Sequence, residues 1–311
     1  MSIRRGRVAL GVAGLSVVLT TTSMAWATLL TPTLVAGGPG NQVSATAAPG
    51  AAYIAYSASR PGHPSLYDAY SRPLGTSRVK VNPAGTTAFT GGIEGTTLVY
   101  QQISSGGQSD LKLFDLSLQI HSTPLGVNTL NYEWQPTISG NWLLFGRANL
   151  HVRPVSDHIV LHNGVTPETR VLDQQVGSPD RLLSPGQVNG DFATWDRYTY
   201  ATHTGNVFRY QISTPTTFKV PLPAGKIQYA SSTNPTGDVF YVRSGIGCGK
   251  QVVIREDVPG VSDVALAAMP AGFDIVRTFA VDEGGGVTSL YFDRFNCATG
   301  GGYDIYKLTV S

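Results

Sequence analysis

Ten side chains able to grip a ligand gather in the middle of this 311-residue chain. They are Tyr132, Trp134, Arg147, His151, Arg153, Asp180, Arg181, Tyr198, Tyr200 and His203, with Asn131 beside the first. Aromatic faces next to a few polar groups suit a flat organic ligand, a glycan or a peptide, and they serve equally to pack long loops. Patterns of covalent and metal chemistry are missing. The chain has no G-x-S-x-G, no H-E-x-x-H and no calcium loop of alternating acids. Gly284-Gly285-Gly286 and Gly300-Gly301-Gly302 lack the Lys-Ser/Thr of a phosphate loop. His151, His158 and His162 lie close in sequence, and the four-residue step from His158 to His162 would suit a metal on a helix. On a strand that step spans about 13 Å, too far for a shared ion. No catalytic residue, metal or cofactor is expected.

A six-fold repeat must position these residues. Each unit has a Gly-marked turn, an apolar strand ending in an aromatic, a polar loop and a further strand. The aromatic ends are Tyr56, Tyr100, Phe145, Trp195, Tyr241 and Phe292, spaced 44, 45, 50, 46 and 51 residues apart. Strand-rich repeats of this length predict a β-propeller. The expected fold is all-β: six four-stranded antiparallel blades at about residues 43–82, 83–129, 130–177, 178–225, 226–272 and 273–311. The sixth unit stops after three strands. Thr33-Leu34-Val35-Ala36 resembles an outer strand and is expected to close the ring on the last blade, removing an open edge. Cys248 and Cys297 fall in the same loop of consecutive units, where they are predicted to form a disulfide. Arg147, Arg197, Arg243 and Arg294 each stand two residues after the aromatic, so each is expected to pair locally rather than ring the channel. The loops over residues 146–157 and 196–206, with the connections 126–135 and 173–181, would carry the candidate residues to one face.

The chain starts as an export signal. Arg4, Arg5 and Arg7 precede an apolar run over 8–19, and Ala25-Trp26-Ala27 ends it as a cleavage site. Residues 1–27 are read as a signal peptide and 28–311 as the propeller; an uncleaved anchor is the rival. The apolar run is shorter than the ~20 residues of a membrane span, and no second run follows. The whole chain carries +2, so removal of three arginines leaves about −1. Nucleic-acid binding needs a basic stripe, which is absent. A secreted or envelope-bound monomer is expected.

Some units also resemble a known family. Trp142-Leu143-Leu144-Phe145-Gly146-Arg147 with Asp157-His158-Ile159-Val160-Leu161, and Leu290-Tyr291-Phe292-Asp293-Arg294 with Tyr303-Asp304-Ile305-Tyr306, look like TolB-type propeller repeats. The first unit adds Ser57-Ala58-Ser59-Arg60 and Leu66-Tyr67. The family's Ser-Pro-Asp-Gly becomes Thr137-Ile138-Ser139-Gly140 and Asn234-Pro235-Thr236-Gly237 here. The resemblance implies six blades and a role in protein or ligand binding. The expectation is a binding module for a protein, peptide or cell-surface carbohydrate, acting through the long-loop face of blades 3 and 4. The alternatives are a secreted hydrolase or lyase on a polysaccharide or lactone at the central channel, or a structural envelope protein. Inner strands read as Ser, Thr, Ala and Val, without the acids or histidines that catalysis there would need.

Overall fold

The computed structural model describes residues 29–73, 76–150, 154–177, 180–245, 248–256 and 263–311. The proposed signal peptide lies outside the described residues. Among the described residues no helix is long and apolar enough to cross a membrane.

Six four-stranded antiparallel sheets follow one another along the chain. Their inner strands are Gln42–Ala47, Thr87–Glu94, Tyr132–Ser139, Arg181–Asn189, Ile227–Thr233 and Phe273–Gly284. The last sheet contains Phe273–Gly284, Val287–Asn296 and Tyr303–Val310, completed by the N-terminal strand Thr33–Ala36. Thr33 pairs with Lys307 and Leu34 with Tyr306. The six-bladed propeller and its closure by the N-terminal strand are as the sequence predicts.

The second strand of each blade is sandwiched between neighbouring sheets, which is why it reads as a nearly continuous apolar run. The aromatics that close these apolar runs lie within the strands, which continue past them, and form the core: Tyr100, Phe145, Trp195, Tyr241 and Phe292 each expose 2% or less. Burying one such ring contributes about 2 kcal/mol or more. One cluster joins Phe240 and Val242 of blade 5 to Ile275, Leu290 and Phe292 of blade 6.

Every inner strand slips register midway, at Val43/Thr46, Thr90/Ile93, Trp134/Thr137, Pro185/Val188, Tyr229/Ser232 and Ile275/Arg277. A bulge leaves backbone groups without ladder partners. Several are satisfied from the preceding blade. Ser57 Oγ accepts the Thr90 N–H at 2.9 Å, and Gln101 Oε1 accepts that of Gln135 at 3.3 Å. Asp196 accepts the Ser231 N–H at 3.3 Å, and Asp293 accepts that of Ser44 at 2.7 Å. All four acceptors directly follow the aromatic that closes the apolar run. In blade 3 that residue is Gly146; a Cβ there would lie 2.1 Å from the Trp134 ring. Blade 5 has Val242, and Gln251 takes over by accepting the Ile275 N–H.

Two contacts cross the channel. Gln187 of blade 4 donates from Nε2 to Ala280 O at 2.6 Å and accepts from Ala280 N at 2.8 Å, in blade 6. Its side-chain amide thus acts as a strand neighbour for an inner edge that has none. Nearer the other end, Arg277 Nη1 reaches Thr90 O of blade 2 at 3.4 Å.

Candidate functional site

The strands are longer than the sequence pattern suggests, and this relocates several candidate residues. Blade 4 pairs Phe192–Thr199 with Thr204–Gln211 in continuous register from Phe192–Gln211 to Thr199–Thr204. The expected long loop over 196–206 is therefore a turn of residues 200–203. Alternating Tyr, Thr and Val have strong β-propensity and extend the hairpin. Blade 3 behaves alike: Trp142–Asn149 carries Arg147 on a strand opposite His158. Tyr132 and Trp134 lie on the inner strand rather than in the connection before it, and Arg181 begins the next inner strand.

The recurrent arginines are held locally, as expected. Arg147 donates to Glu133 Oε1 at 3.0 Å and to Val127 O. Arg197 pairs with Asp173, which also accepts the Trp195 indole N–H at 2.8 Å. Arg243 meets Asp263 at 2.6 Å, and Arg294 donates to the Tyr306 hydroxyl and lies 4.3 Å from the Phe273 ring. His162 is buried and engaged at both nitrogens, by Thr169 Oγ1 at 2.8 Å and Leu125 O at 3.0 Å. Cys248 and Cys297 form the predicted disulfide, with Cα atoms 5.8 Å apart, joining blades 5 and 6 at the mouth.

The remaining candidates divide into two groups. Tyr132 and Trp134, with ring centroids 6.5 Å apart, line a cavity of about 520 Å³ together with Tyr67, Phe89 and Tyr303. Tyr198 lines a neighbouring cavity of about 490 Å³ with Tyr229 and Phe295. Tyr198 and His203 also border a groove of about 930 Å³ between blades 4 and 5. The Tyr198 hydroxyl is 3.3 Å from His203 Nδ1, and Tyr200 stands edge-on to Tyr198 at 5.0 Å. Asp180 is exposed, and its carbonyl accepts the Tyr200 N–H at 2.7 Å. Arg181 is exposed; Asn131 is half-buried, its carbonyl accepting Gln108 Nε2 at 2.9 Å. His151 and Arg153 lie outside the described residues.

Both cavities share Gln135, Val276 and Arg277, so they are two lobes of one mouth. Both open where blade connections meet, and the Gln187–Ala280 contact lies deeper in the channel. The lobes are walled by aromatics from blades that are distant in sequence. Tyr67 and Phe89 are 5.0 Å apart, and Phe295 stacks on Tyr303 at 4.7 Å. Three bulge residues of the mouth, Ser44, Gln135 and Ala230, hold φ of 58°, 46° and 55°. This left-handed backbone is unusual for residues with a Cβ and turns backbone groups towards the cavities.

Inner-strand pattern reading missed Arg277. Aligning the bulges brings it out. The residues spanning the slip are Ser44-Ala45, Gly91-Gly92, Gln135-Pro136, Gly186-Gln187 and Ala230-Ser231; in blade 6 it is Val276 alone, and the next residue, Arg277, pairs with Asp293 and sets a charge beside the slip. Two acids were also missed. Burial pushes the Asp196 carboxyl up to about 7, against weak help from the Ser231 N–H. Burial raises Asp293 to about 6, opposed by the Ser44 N–H and by Arg277. These acids serve different blade junctions, 4/5 and 6/1, and each is engaged by backbone N–H groups. They do not form a catalytic pair.

Comparison with known proteins supports the fold. No protein-family model matches the sequence, and no curated protein matches it. Solved structures do. TolB from Acinetobacter baumannii superposes with a TM-score of 0.53 at 13% identity, over 84% of this chain and 64% of that one. The fold is TolB-like. A putative TolB from Agrobacterium tumefaciens gives 0.54 at 12% identity, over 88% and 92%. An oligogalacturonate lyase in complex with manganese gives 0.55 at 12% identity, over 91% and 97%. Among the described residues of this chain, no oxygen and imidazole donor set suited to manganese comes together. Among the described residues the one candidate group is Cys248, Asp274 and Cys297, whose sulfurs are joined to each other. Manganese prefers oxygen and imidazole ligands.

Proposed function

We propose that this chain is an exported binding module of TolB-like fold. It recognises a protein, peptide or cell-surface carbohydrate through the mouth and the adjoining face of blades 3 and 4. The observation carrying this reading is the two-lobed mouth, whose aromatic walls come from all six blades and whose Arg277 adds a charge. Apolar concavities with a few convergent polar groups are the usual form of a ligand site. The disulfide agrees with an oxidising compartment. The acids nearest the mouth are occupied by backbone N–H groups, which disfavours hydrolase or lyase chemistry using them.

The test is capture of partners from the envelope of the producing cell. Wild type is expected to retain partners that the double variant Trp134→Ala/Tyr198→Ala loses. Equal recovery by both proteins would place recognition elsewhere.

A further inference from the structure

Arg277 directly follows the bulged Val276 on the inner strand of blade 6, opposite Asp293, and its bonding is incomplete. Its Nη1 makes one long hydrogen bond, 3.4 Å to Thr90 O. Its Nη2 is buried and has no hydrogen-bond partner among the described residues. Asp293 is its nearby acid, but that carboxyl already accepts the N–H groups of Ser44 and Ala45, at 2.7 and 3.4 Å. A guanidinium end removed from water and left unpaired is costly, so a ligand anion arriving there gains more than it would at the surface.

We propose that Arg277 anchors the free C-terminal carboxylate of a polypeptide whose last side chain is large and apolar and fills the aromatic lobe. This rests on the binding role proposed above and narrows it. Three features choose this occupant. First, a planar fork matches a carboxylate in bidentate geometry. A dianionic phosphate would face stronger repulsion from Asp293 than a monoanionic carboxylate whenever that group is ionised. Second, the lobe of Tyr67, Phe89, Tyr132, Trp134 and Tyr303 offers ring faces but few free polar partners. Gln101, one of its two glutamine amides, is already bonded to Ser109, Tyr132 and Gln135. A sugar would leave hydroxyls unpaired there, whereas an apolar side chain would not. Third, the Arg277–Thr90 and Gln187–Ala280 contacts cross the channel beneath the lobes, so a chain entering from the mouth must end or turn back.

Calorimetric titration of the intact protein tests this with four probes: N-acetyl-Gly-Gly-Phe as the free acid, the same peptide as its C-terminal amide, N-acetyl-Gly-Asp-Gly amide and glucuronic acid. The free acid is expected to bind at least about 10-fold more tightly than its amide, the loss that follows from removing a charged hydrogen bond. Arg277→Gln should erase most of that difference by weakening the free acid far more than the amide, and Arg277→Lys should restore part of it. Tyr303→Ala, which keeps Arg277, should weaken acid and amide alike; thermal melts identify any variant that fails to fold. Equal affinity of acid and amide, tighter binding of glucuronic acid or the internal acid, or no binding of the free acid at millimolar concentration would each overturn the proposal. If such a result came with partner capture still sensitive to Trp134→Ala/Tyr198→Ala, the anchor alone would be wrong and the binding role would stand.

Discussion

The six inner strands run between two unlike ends of the channel. At one end they turn into the second strands through short hairpins at Gly50, Gly95, Gly140, Gly190 and Gly237, whose φ values lie between 54° and 91°. Tight hairpins need that conformation, so this end repeats closely from blade to blade. Its hollow, about 460 Å³, is lined by hairpin residues such as Asn189, Pro235 and Asp282. At the other end the strands emerge from blade connections of varied length and carry the bulges, the disulfide, Arg277 and the aromatic lobes. The difference teaches where this fold leaves freedom. Hairpins are constrained by backbone geometry, whereas the mouth varies with each blade's connection and bulge.

Removing the disulfide should have the largest effect, and it acts at the mouth end. Cys248 and Cys297 are 49 residues apart. Freeing a loop of that size in the unfolded chain costs about 4 kcal/mol in the chain-entropy account. The Cys248→Ser/Cys297→Ser variant should therefore show a much lower urea midpoint. An unchanged midpoint would mean that blades 5 and 6 hold the mouth without the staple.

Next comes the partition between the two ends. Gln187→Ala would leave the Ala280 N–H and C=O unpaired in a buried setting. The expected loss is about 2–4 kcal/mol, measured by urea unfolding. A loss below about 0.5 kcal/mol would show that the crossing contact is incidental, since ordinary surface changes cost no more.

The smallest effect is a pH dependence set at the mouth. Asp196 and Asp293 are raised from 3.8 to about 7 and about 6 by burial. The fold therefore prefers their neutral forms. That stability is fully present below the ordinary carboxylate value and is lost as pH rises through about 6 and then about 7. The melting temperature should rise as pH falls from 8 towards 5, by the equivalent of on the order of 1–3 kcal/mol. Asp196→Asn should flatten the upper part of that slope. A slope unchanged in the variant would mean that Asp196 stays ionised and is fully satisfied by its backbone partners. Below the ordinary carboxylate range the trend should reverse, because ion pairing and hydrogen bonding hold Asp68 low and hydrogen bonds to Ser213 and Gln211 hold Asp191 low, in both cases against burial.

The hairpin end was the more legible one in the sequence. Its glycines, the buried aromatic strands, the closing strand Thr33–Ala36 and the pairing of Cys248 with Cys297 all follow from reading the repeat in register. The mouth was less legible for two physical reasons. Strand ends depend on pairing partners: Tyr198 and Arg197 have the look of loop residues in the sequence, yet Tyr198 pairs with Gly205 and Arg197 with Asn206. Bulges shift side-chain direction by one residue, so Arg277 escaped a reading based on strand alternation. Gln187 and Ala280, 93 residues apart, meet only because the ring closes. Tyr132, Trp134 and Tyr198 were found because they fall in the connection 126–135 and the segment 196–206 that the repeat carries to one face; Tyr67, Phe89 and Tyr303 were hidden among aromatics that serve the core.

Site-specific photocrosslinking in the intact producing cell tests the central claim most directly, because it captures a partner whose identity is unknown. A benzophenone amino acid is placed at Tyr198 in the mouth or at Asn189 at the hairpin end. The account predicts a discrete adduct from position 198 and none from position 189. An adduct from position 189 alone, equal adducts from both, or none from either would contradict recognition through the mouth.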